Sequence, residues 1–178
     1  AQIRRISVVR QLKRLRIVYR QTSPGLHRFK AAAALAIGGA KIKEKTDAFL
    51  GLGLDWLDDE VNNQILPDGG HISRSPEQAL QALEILLIVD SLLFKRGVEG
   101  SRTVSRAIDR LRSVIPFFCA ADGTLPNFNG GGENHPLRLR AIMKAAPDIL
   151  AKPFGYCPHT GYQRISSSGT LLIMIGNI

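Results

Sequence analysis

Three stretches of this chain carry side chains able to grip an anion or move a proton. The first holds His71 and Arg74, in the run Leu66-Pro67-Asp68-Gly69-Gly70-His71-Ile72-Ser73-Arg74-Ser75-Pro76-Glu77-Gln78. An imidazole titrates near neutrality, at about 6.5, and can act as acid or base. A guanidinium is a fixed cation that can clamp a carboxylate through two hydrogen bonds. The second stretch is Asn127-Phe128-Asn129-Gly130-Gly131-Gly132, followed by Glu133 and His135. Its amides could hydrogen-bond a carboxylate, and its glycines let backbone come close to a ligand. The third holds His159 and Tyr162. A phenol, ordinarily near about 10, needs a cationic neighbour to become a base, and Arg74 could supply one.

Each stretch also has a plainer reading. The His71 imidazole could cap the following helix or bond a loop carbonyl, and Arg74 could be a solvated surface charge. Asn and Gly are favoured in turns whatever their function. Tyr162 reads slightly better as a half-buried strand residue than as a catalyst.

The elements that would position these groups are mostly helical. Pro67 and Asp68-Gly69-Gly70 force a tight turn, and Ser75-Pro76-Glu77-Gln78 reads as a helix start with Ser75 as N-cap and Gln78 closing a capping box. Apolar positions Ile3, Ile6, Val9, Leu12 and Leu15 among arginines and lysines predict a basic amphipathic helix over 3–19. Further helices are expected at 27–37, ended by Gly38-Gly39, at 41–65, and at 76–96, ended by Gly97. Val104, Ala107, Ile108, Leu111, Val114, Ile115 and Phe118 follow helical spacing closely, and a short helix is expected at 137–145. Residues 156–166 and 170–175 read as a β-hairpin. An isolated hairpin is marginal in water, so helices followed by two strands read as a fragment: a helical layer and the start of a sheet.

Composition narrows the class. The chain has 178 residues, 44% of them hydrophobic but only 6% aromatic, which suits an aliphatic helical core. The net charge of +9 is local: residues 1–43 hold eleven basic and no acidic side chains, and the remainder carries −2. Cys119 and Cys157 lack any CxxC spacing, so no metal site is expected; the pair allows one disulfide, but two buried free thiols are the favoured reading. No apolar run is long enough to predict a transmembrane segment.

The run "ILPDGGHISRSP" resembles the helical domain of the bacterial heparinase II/III-like family. Asp122 to Gly132 resembles that family's glycine-rich cleft loop. Pro158 to Ile165 and Gly169 to Met174 resemble the first strands of its C-terminal β domain. The ordered set covers roughly residue 55 to the end. The resemblance implies a mainly α chain: a partial α/α toroid over 1–150, and over 151–178 the first hairpin of a truncated β-sandwich.

It also implies a polysaccharide lyase, which cleaves uronate-containing glycans of heparin or alginate type by β-elimination. A base removes the proton α to the sugar carboxylate, an acid assists the leaving oxygen, and a cation or amide neutralises the carboxylate. On that reading His71, Asn129 and Tyr162 are catalytic, and Arg74, Asn127, Glu133, His135 and His159 contact an anionic polysaccharide. This segment needs no cofactor, any metal belonging to the missing part of the β domain. The compartment implied is periplasm or cell envelope, with cytoplasm as the alternative. One departure stands out: Gln78 and Ala79 occupy the places of a Tyr-His or Asn-His pair, so this branch either uses other residues, such as His71 and Asn129, or is catalytically altered. The family's other catalytic histidine lies in the missing part of the β domain, so the segment alone is expected to be inactive. A non-catalytic glycan-binding module is the alternative. Membrane or nucleic-acid contact through the basic helix is a second one. Nucleic acid is disfavoured, because residues 3–20 offer Tyr19 as their one aromatic for stacking.

Overall fold

The computed structural model describes residues 2–42, 47–132, 135–144, 155–167 and 170–176. It is mainly α-helical, ending in a small antiparallel sheet. The elements are α1 (Gln2–Val18), a 3-10 turn (Tyr19–Gln21), α2 (Leu26–Lys41), α3 (Asp47–Gln64), α4 (Pro76–Arg96), α5 (Arg102–Phe118), α6 (Pro136–Lys144), β1 (Tyr156–Cys157), β2 (Tyr162–Ser167) and β3 (Thr170–Ile175). Two compact units result, one of residues 1–62 with 85–105, the other of 63–84 with 106–178.

In the first unit, Leu12, Leu35, Ile42 and Phe49 form a core against which Val9, Leu15, Leu52 and Trp56 pack. Gly38-Gly39 does not end α2, as the sequence suggested. The helix runs on to Lys41 because the glycines serve close packing instead. A Cβ on Gly39 would strike the backbone of Leu50, and one on Gly53 would strike the backbone of Ala36. Arg96 closes the end of α2 by donating to the Gly39 and Ala40 carbonyls at 2.8 and 3.0 Å, as a cation suits a helix C-terminus.

The amphipathic stripe expected of α1 is only partly used. Leu12 is buried, whereas Ile3 and Ile6 are 84% and 46% exposed. The helix is anchored at its far end, where Tyr19 stacks on Trp56 at 3.9 Å and donates to buried Glu60 at 2.8 Å. Arg28 pairs with the same carboxylate at 2.7 Å. Tyr19 is thus spent inside the fold. Gly97, at φ 68°, ends α4 as expected, with Gly97 N–H bonding Phe94 O and Val98 N–H bonding Leu93 O.

In the second unit the helical stripe of α5 is buried as its spacing required, Leu111, Val114, Ile115 and Phe118 all lying inside. The expected two-stranded hairpin is a three-stranded sheet in the order β1-β2-β3. Tyr162 pairs with Cys157 on one side and Ile175 on the other. The turn at Pro158-His159-Thr160-Gly161 splits the anticipated first strand, Gly161 taking φ 75°. Arg164 on β2 donates to the Phe117 and Cys119 carbonyls at 2.6 and 3.3 Å, sealing the end of α5. Both cysteines are free thiols, pushed up by burial to about 11 at Cys119 and about 12 at Cys157. Among the described residues no helix is long and apolar enough to cross a membrane, and no cluster of metal-ligating side chains occurs.

Candidate functional site

The Leu66–Ser75 loop is closed by its own backbone. Leu66 N–H bonds Gly70 O at 2.8 Å, Gly69 N–H bonds Leu66 O at 2.9 Å, and Ile72 N–H bonds Gln64 O at 2.8 Å. Gly69 is required twice over, by its φ of 85° and because a Cβ there would strike the Arg110 carbonyl. Asp68 does more than turn the chain. One oxygen accepts from Gly70 N–H at 3.0 Å. The other accepts from the backbone of His159 and Thr160 at 2.8 and 2.7 Å, and from the Thr160 hydroxyl at 3.0 Å. The carboxylate therefore bolts this loop to the β1–β2 turn.

His71 lies inside the loop, 2% exposed. Its Nδ1 accepts from Ser73 N–H at 3.1 Å and faces the Ser73 hydroxyl at 2.7 Å, while Nε2 meets Gln64 Oε1 at 3.1 Å. An accepting Nδ1 leaves the proton on Nε2, which donates to the Gln64 oxygen. The neutral tautomer is fixed by both partners, and burial pushes the imidazole down to about 4. The group expected to touch substrate is a structural pin, turned away from solvent. Ser73 also accepts from Ser75 N–H at 3.2 Å, the place the capping box assigned to Gln78. Ser75 itself caps α4, accepting from Gln78 N–H at 3.4 Å.

Arg74, Asn129 and Tyr162 do come together. Tyr162 OH donates to the Arg74 carbonyl at 2.7 Å. Asn129 Nδ2 donates to that carbonyl at 2.9 Å and to the Tyr162 oxygen at 2.8 Å. Arg74 and Asn129 have φ of 56° and 53°, the two positive-φ non-glycine residues among those described. Such strain persists only where surroundings over-determine it, and here the shared carbonyl does so. Tyr162 is buried against Phe118 and Phe128, at ring distances of 5.1 and 5.4 Å. Burial pushes its hydroxyl up to about 12, despite the Asn129 hydrogen bond and the Arg74 charge. It is a hydrogen-bond donor at neutral pH.

Among the described residues the Arg74 guanidinium has no ion pair or hydrogen bond, Asn127 and Asn129 are exposed, and the Gln78 amide lies 3.8 Å from the place of a Gly130 Cβ. Arg138 braces the first turns of α4, pairing with Glu77 and Glu84 at 2.7 Å each. His135 stands apart as the cap of α6, its Nδ1 accepting from Leu137 N–H at 3.2 Å. His159 is exposed and joins a separate cavity. Glu133 lies outside the described residues. Asp68, Gln64 and Arg138 were not anticipated. Asp68 carried only a turn signal, and its bonds to Thr160 span 92 positions.

No protein-family model matches the chain. It is similar to FtsZ-localized protein C of Caulobacter vibrioides, 35% identical over 135 residues, which are 75% of this chain and 23% of that protein. Its fold is similar to the crystal structure of heparinase III, with a TM-score of 0.60 at 19% identity over 70% of this chain and 21% of that one. The helical part is heparinase-like in fold. The chain spans about a quarter of the length of either protein. Chemically, the Arg74 region offers one cation on a braced backbone, with its two titratable groups, His71 and Tyr162, held neutral.

Proposed function

We propose that this chain is the glycan-holding helical part of a longer heparinase-like protein, gripping an acidic, uronate-bearing chain without cutting it. The observation that carries this reading is Arg74: a cation with no acidic partner among the described residues, on a loop whose carbonyl accepts from the exposed Asn129. Such a guanidinium suits a carboxylate. β-Elimination also needs a base. A neutral His71 with both nitrogens engaged and a Tyr162 hydroxyl near 12 favour holding over cutting.

The test uses the full-length parent with heparin, alginate and chondroitin sulfate. Expected are retained binding, about tenfold weaker in Arg74→Ala, and no unsaturated-uronide absorbance. Absorbance that disappears in Tyr162→Phe would restore the lyase reading, and equal affinity in Arg74→Ala would remove Arg74 from the site.

A second reading draws on the 35% identical relative, whose name places it with FtsZ: the parent of this chain co-localises with FtsZ. A fluorescent fusion of the full-length parent should lose its focal pattern on FtsZ depletion. An unchanged pattern defeats this reading and leaves the glycan site untouched.

A further inference from the structure

A separate cavity of about 560 Å³ is lined by Pro67, Asp68, Asp109, Arg110, Ser113, Tyr156, Pro158 and His159. That volume lies within the ordinary range for small-ligand sites, roughly 300–1,000 Å³. Its composition is layered. Pro67, Pro158 and Tyr156 supply rigid apolar surface, with Tyr156 59% exposed, while Asp109, Arg110, Ser113 and His159 supply polar groups. Aromatic surface with hydrogen-bonding groups beside it matches a pyranose ring, whose C–H face is apolar and whose hydroxyls point sideways.

The walls are fixed in advance. Asp68 holds the backbone of His159 and Thr160, Gly161 N–H bonds Cys157 O at 2.8 Å, and Arg164 N–H bonds Gly155 O at 2.8 Å. The His159 ring is thereby set on a turn that does not need ordering when a ligand arrives, which lowers the cost of binding. The polar groups have capacity to spare. The Ser113 hydroxyl donates to the Asp109 carbonyl at 2.9 Å, leaving its lone pairs open. The Asp109 side chain is 75% exposed, with Arg112 no nearer than 4.0 Å.

We propose that this cavity is a carbohydrate subsite for an uncharged sugar ring, stacked on Tyr156 and hydrogen-bonded by Asp109, Ser113 and His159. Charge decides the class: the Asp68 and Asp109 carboxylates oppose a uronate and Arg110 offsets only one of them, leaving a rim suited to hydroxyl or acetamido groups. The subsite uses none of the residues around Arg74 and needs no acidic sugar.

The test is calorimetric titration of the full-length parent with chitotetraose, cellotetraose and maltotetraose. At least one should bind, with affinity reduced about tenfold by Tyr156→Ala, retained in Tyr156→Phe, and unchanged in Arg74→Ala. Asp109→Asn should weaken the same ligand. Because Tyr156 and Asp109 are exposed, the variants should melt with the parent protein. No binding of any of the three, or equal affinity in parent and Tyr156→Ala, overturns the proposal. Loss of neutral-sugar binding in Arg74→Ala as well would merge the two sites and overturn the subsite's independence.

Discussion

The Tyr162 hydroxyl donates to the Arg74 carbonyl at 2.7 Å across 88 positions of sequence. That bond joins the strand-bearing end of the chain to the helix-capping loop, and Asn129 reinforces it from a third segment. A backbone carbonyl that accepts twice is what lets an arginine sit at φ 56°.

Tyr162→Phe removes one donor from that carbonyl and strips the Asn129 amide of one acceptor. A cost of about 1–2 kcal/mol is expected, read as a lowered urea midpoint at unchanged slope. Asn129→Ala should cost a similar amount. Because both act on one carbonyl, the double variant should depart from additivity by at least about 0.5 kcal/mol. Simple addition of the two effects would mean that Arg74 is held by something else.

Gly69→Ala combines a φ of 85° with a Cβ driven against the Arg110 carbonyl. Relief requires moving α5 or opening the loop, so a loss above about 2 kcal/mol is expected. Gly51 is the control: on α3, a Cβ there meets nothing within 4 Å, and Gly51→Ala should be neutral or stabilising by up to about 1 kcal/mol. Matching thermal melts for the two variants would defeat the argument.

These sites show where sequence was legible. The α5 stripe was readable because helical spacing and burial coincide, from Leu111 to Phe118. The stripe of α1 has similar spacing, yet Ile3 and Ile6 remain exposed, since periodicity tells which residues share a face and not whether anything covers it. Gly38-Gly39 was read as a stop because glycine weakens a helix, while the counterweight, the backbone of Leu50 against Gly39, is a tertiary fact. The gathering of Arg74, Asn129 and Tyr162 followed from their shared cleft reading. The inward turn of His71 did not, because Gln64 and Ser73 show no local sign of being its partners.

Arg138 holds Glu77, a buried carboxylate, and Glu84 at 2.7 Å each. Arg138→Met takes the cation away from Glu77, whose carboxylate still accepts from the Gln81 amide at 2.9 Å. Removing one partner of a buried pair costs about 3–5 kcal/mol. The guanidinium's one-third exposure places the expected loss near or below the lower end. Adding Glu77→Gln should recover part of it, since an amide tolerates burial without a cation. A double variant no more stable than Arg138→Met would show that the pair contributes little.

His71 gives the sharpest test of pH behaviour. Folded, its ring titrates at about 4 because burial opposes the charge; unfolded, it titrates at about 6.5. As pH falls, the unfolded chain therefore takes up the proton first. The stability contributed by a neutral, buried His71 is complete above about pH 6.5 and is lost progressively as pH drops towards 4. The gap between the two values corresponds to about 3 kcal/mol. Urea melts at pH 7.5, 6 and 5 should show this slope in the parent protein, and its reduction in His71→Gln, where no proton can be taken up. Direct titration of the ring by NMR covers the case in which the variant fails to fold. A folded-state value near 6.5 would mean that Gln64 and Ser73 do not hold the neutral ring, and would return His71 to candidacy as an acid or base.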